Sequence, residues 1–588
     1  MLYRKNSNYD KKPFVEVKGR RKMVWEGYAD ILSHIRSDIK KKNMDKCIVT
    51  VDCYPGIYDE EVLAAFEEGV APSLIINMND ILLDEEELEI MLDRNITEDR
   101  VFGVMSCHKM GEFFSPEKIV KARQEILNLK KGTVLIFGVG SYILKTPDIF
   151  IYADLSRWEI QQRFRRSEIS NWGVNNMEEE FLRKYKRAFF IDWRVNDRHK
   201  KCLFEKMDYV LDTNIKGNPK MLVGTAMLEG LDNASSQPFR VVPFFDPGVW
   251  GGQWMKDVCG LNREEENFAW CFDCVPEENS LLLKVNDCIV EIPSINLVLY
   301  RPKELLGQKV FARFGAEFPI RFDFLDTMDG GNLSLQVHPL TSYIQENFGM
   351  HYTQDESYYI LDAKEDADPG VYLGLKDNVD KDEMIIELEE AQETAKFDAL
   401  KYVNRIPAKK HDHFLIPAGT IHCSGANTMV LEISSTPYIF TFKLWDWDRL
   451  GLDGRPRPIH IEHGKHNIQF DRTTDWIYEN CVNAIFEMSS GEGYIEEHTG
   501  LHEYEFIETR RHWFTDKVLH STNDGVNVLN LVEGDEAIIE SPTDEFALFV
   551  VHYAETFIIP AKVGEYTIRP YGRSEGKEIA TLKAYVRG

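Results

Sequence analysis

The strongest constraint on this chain is a change of pattern along its length. Up to about residue 215, short β-branched runs alternate with amphipathic stretches. Cys47-Ile-Val-Thr-Val-Asp52 ends in the turn residues Tyr54-Pro55-Gly56. Val62, Ala65 and Phe66 then share one helical face. Ser115-Pro116-Glu117 supplies a cap, a proline and an acidic first turn for a helix through Leu129. Residues 133–137 and 149–153 read as further strands, and repeated βα units predict a mostly parallel sheet covered by helices. From Pro238 the apolar runs become short and are separated by Gly, Pro, Asn and Asp, as at 333–337, 358–361, 414–416 and 430–433. That spacing predicts an antiparallel sandwich or barrel. A charged stretch at about 381–402, carrying Leu388, Ala391, Ala395 and Leu400, predicts a helical insertion, and β-rich sequence resumes over 503–585. Gly217-Asn218-Pro219 and Asn233-Ala234-Ser235-Ser236 mark residues 216–237 as the expected linker.

At 588 residues the chain exceeds one ordinary core, so several domains are expected. Lys and Arg number 69 against 97 Asp and Glu, a net charge of −28. Such a balance argues against nonspecific nucleic-acid partners and against an anionic membrane surface. No run of about 18 apolar residues occurs, and the opening MLYRKNSNYDKK lacks the apolar stretch of a signal peptide. Ten scattered cysteines fit reduced thiols. The expectation is a cytoplasmic multidomain protein, with room for a homo-oligomer.

Asn332-Leu-Ser-Leu-Gln336-Val-His338-Pro339 is the most informative segment. On a strand, Gln336 and His338 leave the same face. Glu356 opens a later strand, and His422 follows the Pro417/Gly419 turn. A Gln/His/Glu/His set completed by water suits Zn²⁺, with Mn²⁺ or Fe²⁺ as alternatives. Taken singly, each is equally a polar residue on a half-exposed β face.

The ordered words LSLQVHP, ESYYILDA, NRIPAKK, FLIPAGTIHC, VLEIS and WDWDR, with PFRVVPFF and Val249-Trp250-Gly251-Gly252 before them, resemble class I mannose-6-phosphate isomerases. VLNLVEGD and FIIPA extend the likeness toward the C-terminus, over about 350 of the 588 residues. The resemblance implies a zinc-dependent double cupin, with a metal-binding domain at 238–500 and a second cupin at 501–588. It also implies that Gln336, His338, Glu356 and His422 are the metal ligands, that Ser334 faces the substrate phosphate, and that a hexose 6-phosphate is the partner.

Aldose–ketose isomerisation needs a base, an electrophile and a cationic grip on phosphate. Here the chain departs from the family. Gln354 stands where a lysine is usual, and Phe442-Lys443-Leu-Trp445-Asp446-Trp447-Asp448-Arg449 carries Lys443 in place of an arginine. Cys271 replaces an acidic residue. Lys443 is the expected catalytic cation, with Ser334, Lys443 and Gln354 at the substrate and Arg449 in an ion pair. Two functions follow from this reading. One is a metal-dependent isomerase of the mannose 6-phosphate to fructose 6-phosphate type, acting through an enediol. The other is a sugar-phosphate binding or regulatory protein that keeps the metal site without turnover.

Residues 1–215 resemble a degenerate uridine- or nucleoside-kinase-like domain, through Val134-Leu-Ile-Phe137-Gly138-Val-Gly140, Tyr152-Ala-Asp154 and Arg163, Arg165 and Arg166. The phosphate loop G-x-x-x-x-G-K-[ST] is missing, since Ile-Tyr-Asp-Glu-Glu follows Gly56. The arginines are expected on a solvated helix face. Cys271 and Cys274 are expected to be packed thiols, and His411 and His413 surface side chains.

Overall fold

A computed structural model describes residues 7–18, 22–435, 440–455, 457–500 and 502–588. The first six residues of the opening segment therefore lie outside the described residues. Two compact units divide the chain. One comprises Phe14–Ala234 and Ser280–Arg301, the other Met1–Pro13, Ser235–Asn279 and Pro302–Gly588.

The α/β unit is built on a seven-stranded sheet. Its order is Val24–Glu26, Lys220–Val223, Tyr209–Asp212, Ile149–Asp154, Lys46–Cys53, Gly132–Gly138 and Leu74–Asn77. The last five of these are parallel. Lys46–Cys53 sits at the centre and is buried from Cys47 onward, as a strand covered on both faces requires. The helix Pro116–Asn128 starts at the predicted proline, and Glu85–Ile96 starts on a reciprocal Asp84/Glu87 capping box.

The expected linker 216–237 is corrected. Lys220–Val223 joins the sheet antiparallel to Tyr209–Asp212, and Gly224–Ala234 is a helix burying Ala226, Met227 and Leu231. Gly217-Asn218-Pro219 is thus a turn between paired strands. At Gly224 a Cβ would lie 1.9 Å from the Met207 carbonyl oxygen, so the small residue there permits close packing. The expected domain edge at 215 moves for the same reason. A three-stranded sheet of Phe14–Val17, Ser280–Val285 and Cys288–Pro293 also belongs to this unit. Its pairing joins segments far apart in sequence, which local pattern cannot register.

The β unit holds four sheets. A six-stranded sheet runs His413–Ile416, Glu356–Ala363, Thr428–Ser434, Arg321–Asp326, Trp270–Cys274 and Phe244–Asp246. A five-stranded sheet runs Val403–Pro407, Gly370–Leu375, His422–Ser424, Leu335–Val337 and Phe442–Trp445. Both are antiparallel throughout. The helices Lys381–Thr394 and Ala399–Tyr402 fill the predicted insertion.

The remaining two sheets pack around Phe514, Leu529, Leu531, Ile539, Phe557, Tyr566 and Ile568. They begin at Phe486–Gly491, which pairs with Tyr494–His498, so the expected break at 500/501 shifts upstream. No turn signal between 480 and 500 is as strong as that pairing.

Candidate metal centre

Register assembles the site. Gln336 is directly opposite His422 on one neighbouring strand and Lys443 on the other. Directly paired residues of antiparallel strands project to one face, so Gln336, His422 and Lys443 share it. Glu356 enters from the six-stranded sheet, where it pairs with Ser434 and Ile416. His338 follows its strand directly and is 1% exposed, while Glu356 and His422 are fully buried.

His338, Glu356 and His422 form the one group of potential metal-holding His, Cys, Asp or Glu side chains among the described residues. His338 Nε2 lies 3.0 Å from Glu356 Oε2, and His422 Nε2 lies 2.8 Å from Oε1. The other ring nitrogen of each histidine faces a carbonyl oxygen. His338 Nδ1 is 2.9 Å from the Phe440 oxygen, and His422 Nδ1 is 2.9 Å from that of Thr420. Each Nδ1 therefore carries the proton and donates it, which leaves each Nε2 lone pair aimed at a carboxylate. Neither His338 Nε2 nor Glu356 Oε1 makes a hydrogen bond of acceptable geometry. Buried acceptors turned on one another, with these two atoms left undonated, call for a cation, either protons on the rings or a metal ion.

The electrostatics reflect the same crowding. Burial works against a charged His338, but Glu356 beside it raises its pKa. Burial likewise disfavours charge on Glu356, yet His338 and His422 hold its pKa well below the ordinary range. On the same face, Asp323 is directly opposite Glu432, and Tyr358 is opposite Glu432 from the other side. Burial, then Glu356 and Asp323, push the Glu432 carboxyl well up. Asp323 is pushed up to about 6 by burial, although Arg321 donates to it at 3.0 Å. Sequence reasoning missed Arg321, Asp323 and Glu432. Their alternation on a buried strand was the available signal, since apolar residues ordinarily fill that face.

The other expected site residues are placed as follows. Gln336 is 8% exposed, and its side-chain nitrogen is 3.2 Å from His422 Nε2. Gln354 donates to Glu356 Oε2 at 2.9 Å and accepts the Phe440 amide at 2.8 Å. It therefore fixes the ligand carboxylate, with both ends of its amide engaged inside the protein. The Ser334 hydroxyl donates to Asp446 at 2.9 Å. Asp446 also receives Arg449 at 2.6 Å and Arg457 at 2.9 Å. Arg457 was not found from sequence because it lies beyond the matched WDWDR word.

Cys271 and Cys274 are buried free thiols, and burial pushes both pKa values well up. His411 and His413 are corrected from surface residues. His413 is fully buried against the Ser357 hydroxyl, and His411 reaches Tyr359 and Glu533.

In the α/β unit, Arg163 is also corrected, since it is fully buried. It donates to the Gly56 carbonyl at 2.9 Å and to that of Thr213 at 2.7 Å, and lies 3.9 Å over the Tyr58 ring. Gly56 has φ +111°, and a Cβ there would sit 2.8 Å from Ile160. The turn after Lys46–Cys53 is thus packed under Ile160 and Arg163.

Comparison with known proteins gives two kinds of likeness. Residues 27–236 match the family model "Domain of unknown function (DUF8485)". The protein named probable mannose-6-phosphate isomerase GmuF of Bacillus subtilis (strain 168) is 28% identical, over 39% of this chain and 67% of its own length. Mannose-6-phosphate isomerase ManA of the same organism is 21% identical over 58% of this chain and 96% of its own. The chain carries a segment similar to mannose-6-phosphate isomerases. Among solved structures, a mannose 6-phosphate isomerase from Bacillus subtilis covers 60% of this chain and 100% of its own length, at 20% identity and a TM-score of 0.47.

Proposed function

We propose that the β unit is a metal-dependent aldose–ketose isomerase acting on a hexose 6-phosphate, of the mannose 6-phosphate to fructose 6-phosphate type. The observation that carries this reading is the pair of imidazole Nε2 atoms turned on one buried carboxylate, with both Nδ1 protons already given to carbonyls. These residues fit a divalent cation, zinc first, held by Gln336, His338, Glu356 and His422. Rotating the Gln336 amide would bring its oxygen to the same centre without altering packing. When bound, the cation supplies polarisation of the substrate oxygens.

The chain's own residues would do the rest. Gln354 and Phe440 hold Glu356 and His338 in position. Lys443, on the face shared with Gln336 and His422, places positive charge where an enediolate or phosphate anion would lie. Glu432, on the six-stranded sheet that carries Glu356, is a carboxyl group suited to carry a proton between adjacent carbons.

The second reading, a sugar-phosphate binder without turnover, draws on Gln354 and Ser334. Gln354 is neutral and spent on Glu356 and the Phe440 amide, and the Ser334 hydroxyl is spent on Asp446, so neither supplies the charge that turnover needs. Metal analysis of the purified protein, together with isomerisation assays on a panel of sugar phosphates, separates the two. Bound metal with turnover supports the enzyme, and metal with saturable binding but no turnover supports the binder. A preparation that takes up no divalent metal overturns both.

A further inference from the structure

The second pair of sheets in the β unit has a polar end that its apolar core leaves open. A cavity of about 230 Å³ is lined there by Glu496, Arg510, His512, His520, Asn527 and Lys583, among others. Three strands set this face. Glu496 is directly opposite His512, and Arg510 is directly opposite Lys583. Arg510 and His512 are two apart on one strand, so all four side chains point the same way. His520 comes from the other sheet, stacked on Tyr566 at 5.2 Å and edge-on to His512 at 4.6 Å.

The hydrogen-bond inventory of this cavity is one-sided. Glu496 is satisfied by Arg510 at 2.9 Å, His512 at 3.3 Å and the Ser489 hydroxyl at 3.1 Å. Arg510 is further held by Glu508 at 2.8 Å. The Asn527 oxygen accepts the Tyr566 hydroxyl at 2.9 Å. By contrast His520 Nε2 and His512 Nδ1 are buried without partners, and both residues are 4% exposed. Lys583 is 9% exposed, and the interaction it makes is a ring contact with Tyr585 at 5.6 Å rather than an ion pair. His512 Nε2 donates to Glu496, so its Nδ1 is a lone pair, and the donors this polar cavity leaves open are the buried Lys583 ammonium and the ring of His520 at Nε2.

We propose that this cavity binds a small oxyanion of the phosphate or carboxylate class, held by the Lys583 ammonium and by His520 through Nε2. The anion supplies the acceptor oxygens and counter-charge that the protein omits. Burial lowers the pKa of Lys583 to about 8 and pushes His520 well down, so Lys583 supplies the positive charge and His520 a neutral donor. Arg510 is neutralised by its two glutamates and does not compete. The inference is independent of the isomerase reading, because none of these residues belongs to the His338, Glu356 and His422 cluster.

Calorimetric titration of the full-length protein with inorganic phosphate, and separately with acetate, tests it. At least one anion should bind saturably, and Lys583→Met should weaken that binding roughly 10- to 100-fold. His520→Phe, which keeps the stack on Tyr566, should weaken it less, and the titrations are repeated in a Lys443→Ala background so that the anion position of the proposed active site does not contribute. The phosphate and acetate arms distinguish the two anion sources. Binding in that background left undiminished by Lys583→Met and His520→Phe would overturn the assignment, as would no binding of either anion. Should both cavity variants fail to fold, a crystal structure of the unaltered protein grown with saturating phosphate decides. Density between Lys583 and His520 supports the site, and its absence overturns it.

Discussion

Two buried charged clusters in this molecule have opposite balances. Around the turn Tyr54–Tyr58, Arg163 meets the Gly56 and Thr213 carbonyls, Glu159 and the Tyr58 ring, and Asp52 accepts the Gly140 and Tyr142 amides. Charge there is answered within the fold. Around Glu356, two imidazole Nε2 atoms are turned on one carboxylate, and His338 Nε2 and Glu356 Oε1 have no donor. The difference teaches how to read burial. A closed hydrogen-bond account marks architecture, and an open one marks a place for something the chain does not supply.

The sharpest way to break this contrast is His338→Ala. It should abolish stoichiometric metal and lower kcat/KM roughly a thousandfold or more, while the circular dichroism spectrum is kept. Retained metal and activity would place the cation elsewhere.

Acid should reveal the next effect, through His413. Burial holds its folded pKa at about 3, against an unfolded value near 6.5. Between those limits the unfolded state binds more protons, so stability falls as pH drops through this window, by up to about 5 kcal/mol. Urea unfolding near pH 7 and about pH 4.5 should show a smaller loss in His413→Asn than in the unaltered protein.

Arg163→Met should destabilise the α/β unit by about 3 kcal/mol, because buried carbonyl groups lose their donor. Differential scanning calorimetry should show that loss without any change in metal content. If Arg163→Met instead alters isomerisation and leaves stability untouched, the architectural reading fails.

Lys443→Ala sharpens the open site. A loss of about 2 to 4 kcal/mol in transition-state stabilisation, roughly 30- to 1000-fold in kcat/KM, is expected. Arg449→Ala should lose less, since Arg449 is spent on Asp446. Equal kinetics for Lys443→Ala and the unaltered protein would assign the anion grip to another cation.

The amino-acid sequence by itself determined the two grammars, the helical insertion, and the identity of His338, Glu356 and His422 as a candidate set. These are legible because side-chain period and turn chemistry are local, and because several ordered words leave little room for coincidence. Only the tertiary structure decided that Gln354 braces Glu356, that Arg163 is interior, and that residues 220–234 complete a sheet and a helix. It alone revealed Glu432 and Asp323 on the inner face, and the unpartnered His512 Nδ1 and His520 Nε2 atoms lining one cavity with Lys583. The reason is common to all of them. Whether a polar side chain is satisfied depends on atoms brought from distant parts of the chain, and hydrogen-bond closure is a property of the packed fold rather than of any local run.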